Sequence, residues 1–324
     1  MKLYKIKSFL ILAAGLMLHS CLDLDPQDQL AETNIWSSPA DYKLFANQFY
    51  SWTRDFSSLD NNSTKPLHSD YNSDLFTCKD DRNRFSNGTN SVQESDGNYG
   101  SAYAHIRRTN LLLQNASNYA NQTDIAQYVG EAKFFRAYFY FELVRRYQNV
   151  PLITKVVTQA EANAAEPASA EQIFDFIISE CTELSTLLPV DYTKMPGSEY
   201  GRATRGAALA LKARAALYAA SPLFNSGNNK SKWVAAAEAA YEIIGQSSAL
   251  GYKLDASFSN LFGATNTASN EVILVRPTGT STSFEAANFP MGVTGGKTTT
   301  CPTENLASAF EMATGEEFDW NNEA

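Results

Sequence analysis

From Tyr42 to Ile244 the apolar residues return every third or fourth position, in blocks separated by polar turns, and that period predicts a mainly helical body. Ser38-Pro39-Ala40-Asp41 reads as a helix start, with serine as cap, proline in the first turn and an acid at the third position. Tyr42, Phe45, Phe49 and Trp52 follow as one apolar stripe. Tyr103, Ile106, Asn110 and Leu113 renew the period. Ile125, Val129, Ala132, Phe135, Phe139 and Leu143 carry it through a longer helix that ends near Tyr147, closed by Asn149-Val150-Pro151. Ser169-Ala170-Glu171-Gln172 forms a capping box in front of Ile173, Ile177, Cys181, Leu184 and Leu188, with Pro189 as terminator.

Another helix is predicted to begin near Thr204. From Ala207 to Ala220 alanine dominates, with Ala208, Leu211, Ala215 and Tyr218 on one side, so a neighbouring helix has room to approach closely. Trp233, Ala237, Ala240 and Ile244 make a second stripe after a polar turn. The two helices are therefore expected to form an antiparallel hairpin of tetratricopeptide (TPR) size. Trp36, Trp52 and Trp233, on or beside these stripes, are expected to pack in the core. Glu271–Arg276 reads as a short strand, the Thr/Gly-rich stretch to Thr300 as loop, and Pro302-Thr303 as the start of a last helix through Leu306 and Phe310, ended by Gly315. The fold class is thus mainly all-α: a helical body with TPR-like helix pairs, long irregular loops and a minor strand element.

The N-terminus carries a different pattern. Lys2, Lys5 and Lys7 precede an apolar run from Phe9 to Leu18, which ends at Ser20-Cys21. That is the anatomy of a signal peptide, too short to span a bilayer comfortably. Leu18-His19-Ser20-Cys21 resembles a lipoprotein cleavage box, so Cys21 is expected to be lipidated, with several acyl chains tethering the protein to a membrane surface. The expected organisation is a signal peptide over 1–20, a lipidated tether over 21–31 and a helical domain over 32–324.

Charge narrows the partners. The chain has 26 Lys and Arg against 35 Asp and Glu, a net charge of −9, and the leader holds three of the lysines. Nucleic acid, which needs a basic face, is excluded as an expected partner. Cys78, Cys181 and Cys301 remain after Cys21, without a CxxC pair, and at most one disulfide among them is open. Cys181, on a helical stripe, is expected to be a small buried hydrophobe. Asp70-Tyr71-Asn72-Ser73-Asp74 opens like a calcium loop, but Leu75 stands where the turn needs glycine, so neither metal nor cofactor is expected.

The stretch from Ser57 to Asn98 is crowded with Asp, Asn, Ser and Gly and reads as long surface loops, where function often resides. Neutral glycans are bound by flat aromatic faces that stack on sugar rings and by planar polar groups that meet paired hydroxyls. The 70–103 region offers both, and the candidate ligand-binding residues are Tyr99, Asn98, Asp96, Tyr71, Asp70 and Arg84. Arg107-Arg108 and Arg145-Arg146 read as solvated helix faces.

Six segments in order, CLDLDPQDQL with IWSSPADYKLFANQFY, YAHIRRTNLLLQNA, GEAKFFRAYFYFELVRRYQNVPLI, GRATRGAALALKARAALYAASPLF and CPTENLASAFEMATG, resemble the SusD/RagB family of outer-membrane nutrient-binding lipoproteins. The resemblance implies a helical body with TPR-like pairs and a shallow loop-built site for an oligosaccharide. It further implies a SusC-like TonB-dependent transporter as partner, anchoring at the cell outer membrane by lipid, and no catalysis. An aromatic just before the IRR-containing helix contacts sugar in family members, and Tyr99 occupies the comparable place. Members are considerably longer, so the resemblance implies the N-terminal portion of such a protein, incomplete at its C-terminus. Three other functions compete: a RagB-like protein that captures peptide, a surface glycoside hydrolase working through two carboxylates, and a helical adaptor whose concave TPR-like groove holds a protein or peptide.

Overall fold

The computed structural model describes residues 36–53, 74–77, 97–191, 199–262, 269–276, 282, 286, 289–298 and 301–320. It is mainly helical, as the periodicity predicts. The helices are α1 (Pro39–Tyr50), α2 (Gly97–Ala116), α3 (Gln122–Tyr147), α4 (Gln159–Asn163), α5 (Ala170–Leu187), α6 (Arg205–Ala220), α7 (Lys230–Gly245), α8 (Ser247–Leu250) and α9 (Glu304–Ser308). The predicted caps form. Asp41 Oδ2 accepts from Ser38 N at 2.7 Å, Gln172 Oε1 accepts from Ser169 N at 2.9 Å, and Thr204 accepts from Ala207 N at the start of α6.

α3 is the axis of the body. Its Phe134, Phe135, Phe139, Tyr140, Phe141, Leu143 and Val144 are all buried. A helix apolar on every side must be surrounded, and α1, α2, α5 and α6 all pack against it. α1 contributes Tyr42 and Phe49, with no exposure, and the Phe49 ring meets Phe135 at 5.7 Å. Trp36 and Trp52 are half-buried against this core, as expected.

Two buried ion pairs cross-link the helices. Glu131, fully buried on α3, receives Arg202 Nε at 2.9 Å and Nη2 at 2.8 Å, and Arg202 Nη1 donates to Asn47 Oδ1 on α1 at 2.6 Å. Burial pushes the Glu131 carboxyl up, and Arg202 pulls it back. Arg136 on α3 grips Glu180 on α5 with Nε at 3.0 Å and Nη2 at 2.9 and 2.8 Å. Cys181 is a buried thiol beside that pair, and burial raises its pKa, so the small-hydrophobe reading holds. Cys301 is a free thiol too, and Cys78 lies outside the described residues.

The α6–α7 hairpin is present, but α7 is rotated from the predicted setting. Its inward residues are Ala236 and Ala239, which meet Ala216 and Ala220 of α6. The stripe read from the sequence, Trp233, Ala237, Ala240 and Ile244, faces outward; Ile244 is 66% exposed and Trp233 39%, its indole donating to Asn228. Close approach of two alanine-rich helices admits methyl groups at the contact and leaves no room for an indole. Lys212–Glu242 at 2.8 Å fixes this setting.

Two further expectations are corrected. Glu271–Arg276 is a turn followed by irregular chain, because among the described residues no strand lies beside it to complete a ladder. Among the described residues the ladders are two residues long: β1 (Phe76–Thr77) pairs with β4 (Cys301–Pro302), and β2 (Val150–Pro151) with β3 (Pro167–Ala168), both antiparallel. The last helix, α9, stops at Ser308 and not beyond Phe310, which is 66% exposed. Without a buried face nothing extends it, and Gly315, at φ 82°, closes a separate turn onto Met312 O.

Candidate functional site

The β2–β3 ladder pinches the neck of an excursion over residues 150–168 that folds back along α2. Side chains of α2 and α3 hold its first stretch in place of backbone ladders. Tyr103 donates to Pro151 O at 2.7 Å. Tyr140 receives Ile153 N at 2.6 Å and donates to Ile153 O at 3.0 Å. Asn110 Nδ2 reaches Ile153 O and Lys155 O at 3.0 and 3.2 Å, and Arg136 Nη1 reaches Thr154 O at 3.0 Å while also holding Asn110 Oδ1 at 2.8 Å. Arg107 Nη1 completes the series on Val157 O at 2.7 Å. Carbonyls withdrawn from water need donors, and here those of Pro151, Ile153, Thr154, Lys155 and Val157 receive them from side chains. Both tyrosines are held as phenols, their pKa raised chiefly by burial.

Between α2 and this strapped segment lies a cavity of about 540 Å³. Tyr99, Tyr103 and Arg107, at helical spacing on one face of α2, form one wall, and Pro151, Ile153, Lys155, Val157 and Thr158 form the other. Tyr99 is half-buried, its ring 4.9 Å from Tyr103 and edge-on to Tyr147 at 5.2 Å. That leaves an aromatic surface braced from behind and open in front, which suits a flat apolar ligand face.

Of the predicted site residues, Tyr99 is on the cavity wall. Asn98 is exposed in the first turn of α2 and does not line the cavity. Asp96, Tyr71, Asp70 and Arg84, and the lipidation candidate Cys21, lie outside the described residues. Sequence reasoning missed Tyr103, Lys155 and Arg107. Arg107 is exposed, as a solvated helix face should be, but it also lines the cavity, and its spacing of four from Tyr103 and eight from Tyr99 was a usable signal. Among the described residues there is no group of three or more metal-ligating side chains, and no helix is long and apolar enough to cross a membrane.

Comparison with known proteins accounts for this architecture. Residues 21–217 match a SusD-like family model described as starch-binding and associating with the outer membrane. SusD-like protein P2 of Formosa agariphila is 27% identical over an alignment 289 residues long that covers 83% of this chain and 51% of that protein. The structure of a SusD-like carbohydrate binding protein from Bacteroides fragilis superposes with a TM-score of 0.72 at 23% identity, over 89% of this chain and 56% of that one. A laminarin binding SusD-like protein superposes with a TM-score of 0.58 at 26% identity, over 72% of this chain and 50% of that one. The chain thus spans about half the length of the relatives it matches. A family model covering well over half of the residues, together with the shared helical body, shows that the chain belongs to the SusD-like family of glycan-binding proteins.

Proposed function

We propose that this protein captures oligosaccharides at the outer surface of the cell and passes them to a SusC-like TonB-dependent transporter, without cleaving them. The observation that carries the reading is the braced Tyr99 face on a cavity of about 540 Å³ in a glycan-binding family. The laminarin-binding neighbour supports glycan as the ligand class. Lipidation at Cys21 would hold the helical domain at the membrane through the 21–31 tether, in keeping with the family's association with the outer membrane. Tyr99 would stack on a sugar ring. Asn98, exposed in the same turn, and Asp96, Asp70, Tyr71 and Arg84, which precede it in the sequence outside the described residues, would supply hydroxyl contacts.

The test is calorimetry across a glycan panel that includes laminarin and starch oligosaccharides, with Tyr99→Ala as the variant. We expect binding of at least one glycan and a loss of tenfold or more in affinity in the variant, about the worth of one stacked ring. Unchanged binding in Tyr99→Ala would remove this cavity as the site. New reducing ends released during incubation would overturn capture in favour of hydrolysis.

A further inference from the structure

The cavity lining differs in charge from the chain as a whole. Acidic residues outnumber basic ones 35 to 26 along the chain, yet the described lining of this cavity holds Arg107 and Lys155 and no carboxylate. Arg107 is fixed at the wall by one guanidinium N–H, donated to Val157 O at 2.7 Å, and a guanidinium has further donors in the same plane. The nearby acid is Glu161, on α4 and outside the lining. Its carboxylate is occupied by the Thr158 N–H at 2.7 Å and hydroxyl at 2.9 Å, which with Lys155 hold it below the usual carboxylate range. Glu161 thus offsets part of the Lys155 charge through its position at the cap, which leaves Arg107, bonded to a carbonyl, as the other cation of the lining.

Tyr99 and Arg107 lie eight residues apart on one face of α2, about 12 Å along its axis at 1.5 Å per residue, with Tyr103 between them. A sugar ring resting on Tyr99 therefore has a neighbouring unit, or a long substituent, beside the guanidinium. Planar bidentate recognition is what arginine does better than lysine for carboxylates and for oxyanions of similar geometry. We propose that the Tyr99 cavity takes a saccharide bearing an anionic substituent, a uronic carboxylate or a sulfate ester, with a ring on Tyr99 and the charge on Arg107. This rests on the glycan-capture reading and narrows its ligand class.

The experiment uses matched pairs on the whole chain: oligogalacturonate against its methyl ester, and a sulfated oligosaccharide against its desulfated form. Each is titrated by calorimetry at low and high salt, with Arg107→Gln and Lys155→Gln compared. The charged member of at least one pair is expected to bind tenfold or more tighter than its neutral partner, and that ratio is expected to fall with added salt and to collapse toward one in Arg107→Gln. Whichever pair shows the ratio identifies carboxylate or sulfate as the anion. Equal affinity for charged and neutral members, or a ratio that survives Arg107→Gln, would overturn the inference and leave neutral-glycan capture standing. Failure of every glycan to bind would bring down capture itself. Both substituted side chains are exposed, so loss of fold, checked by circular dichroism, is not expected.

Discussion

Breaking the Arg136–Glu180 pair tests whether the buried polar network holds the site as well as the fold. Both residues are 7% exposed, and burial raises the Glu180 pKa against the pull of Arg136. Neither charge is therefore tolerable alone. Arg136→Met leaves Glu180 buried without its cation, a change that costs about 3–5 kcal/mol. It also strips the donor from Thr154 O and from Asn110 Oδ1, and each orphaned acceptor costs about 1–3 kcal/mol unless water reaches it. Against a total stability on the order of 5–15 kcal/mol, the variant should be barely folded at 37 °C. Glu180→Met should be nearly as damaging, because it strands the guanidinium. The double variant, Arg136→Met with Glu180→Met, removes both charges and lets two thioethers fill the space beside Phe176, whose ring lies 5.5 Å from the guanidinium carbon. It should recover the about 3–5 kcal/mol of the stranded charge and retain a deficit of about 2–6 kcal/mol for the Thr154 and Asn110 acceptors, less where water reaches them.

Urea unfolding followed by tryptophan fluorescence gives the three stabilities and the coupling energy of the cycle. Hydrogen exchange at Ile153 reports the strap separately, since its amide is held by Tyr140 and should open faster in the double variant even where global stability has returned. A single variant that loses less than about 1 kcal/mol would refute the reasoning. So would a double variant as unstable as the sum of the singles.

Other predictions follow from particular contacts. On α7, Tyr241→Lys and Ile244→Lys should each change stability by less than about 0.5 kcal/mol. Ala239→Leu should cost about 1–3 kcal/mol by overpacking the alanine contact with α6; thermal melts showing the reverse order would restore the predicted helix setting. His105 stacks on Trp52 at 4.0 Å, and its pKa is lowered, first by burial and then by Arg108. The folded chain therefore refuses a proton that the unfolded chain accepts below about pH 6.5. Stability contributed above that pH should be lost as pH falls through 6.5 toward the folded value. His105→Phe, which keeps the ring contacts, should remove that part of the slope in denaturation measured at pH 7.5 and 5.5, and an unchanged slope would show that His105 is not its source.

The elements that could be read in the sequence are those whose burial is one-sided and bulky. Tyr42, Phe49, Ile173 and Ile177 mark their faces because an aromatic or branched side chain in the wrong place could not be accommodated, and Ser38, Ser169 and Thr204 announce helix starts through local hydrogen bonds. α7 was misread because alanine is acceptable on either side of a helix. Its facing was decided by α6, through Ala216 and Ala220, and nothing within residues 230–245 encodes that partner. Glu271–Arg276 has the composition of a strand and, among the described residues, no neighbour to pair with. Tyr99 was found through a resemblance and its place at the head of α2. Lys155 could not be found, because it reaches the cavity only through bonds such as Tyr103 to Pro151, which join residues 48 apart in the chain.

Those bonds also explain how an irregular segment can form a fixed wall. Residues 151–157 have no ladder beyond Pro151, so an ordinary surface loop would pay for its carbonyls with water and keep its mobility. Here Tyr103, Asn110, Arg136, Tyr140 and Arg107 supply the donors from two helices that the core already immobilises. Ordering of the wall is thus completed on folding, and a ligand entering beside Tyr99 meets a surface whose entropy has already been spent. Arg107 belongs to both sets of contacts, since the bond that pins Val157 also fixes the guanidinium at the cavity wall. A substitution there should therefore alter affinity through the charge it removes and also through the wall it releases, and Lys155→Gln, which removes a charge and no strap, separates the two effects.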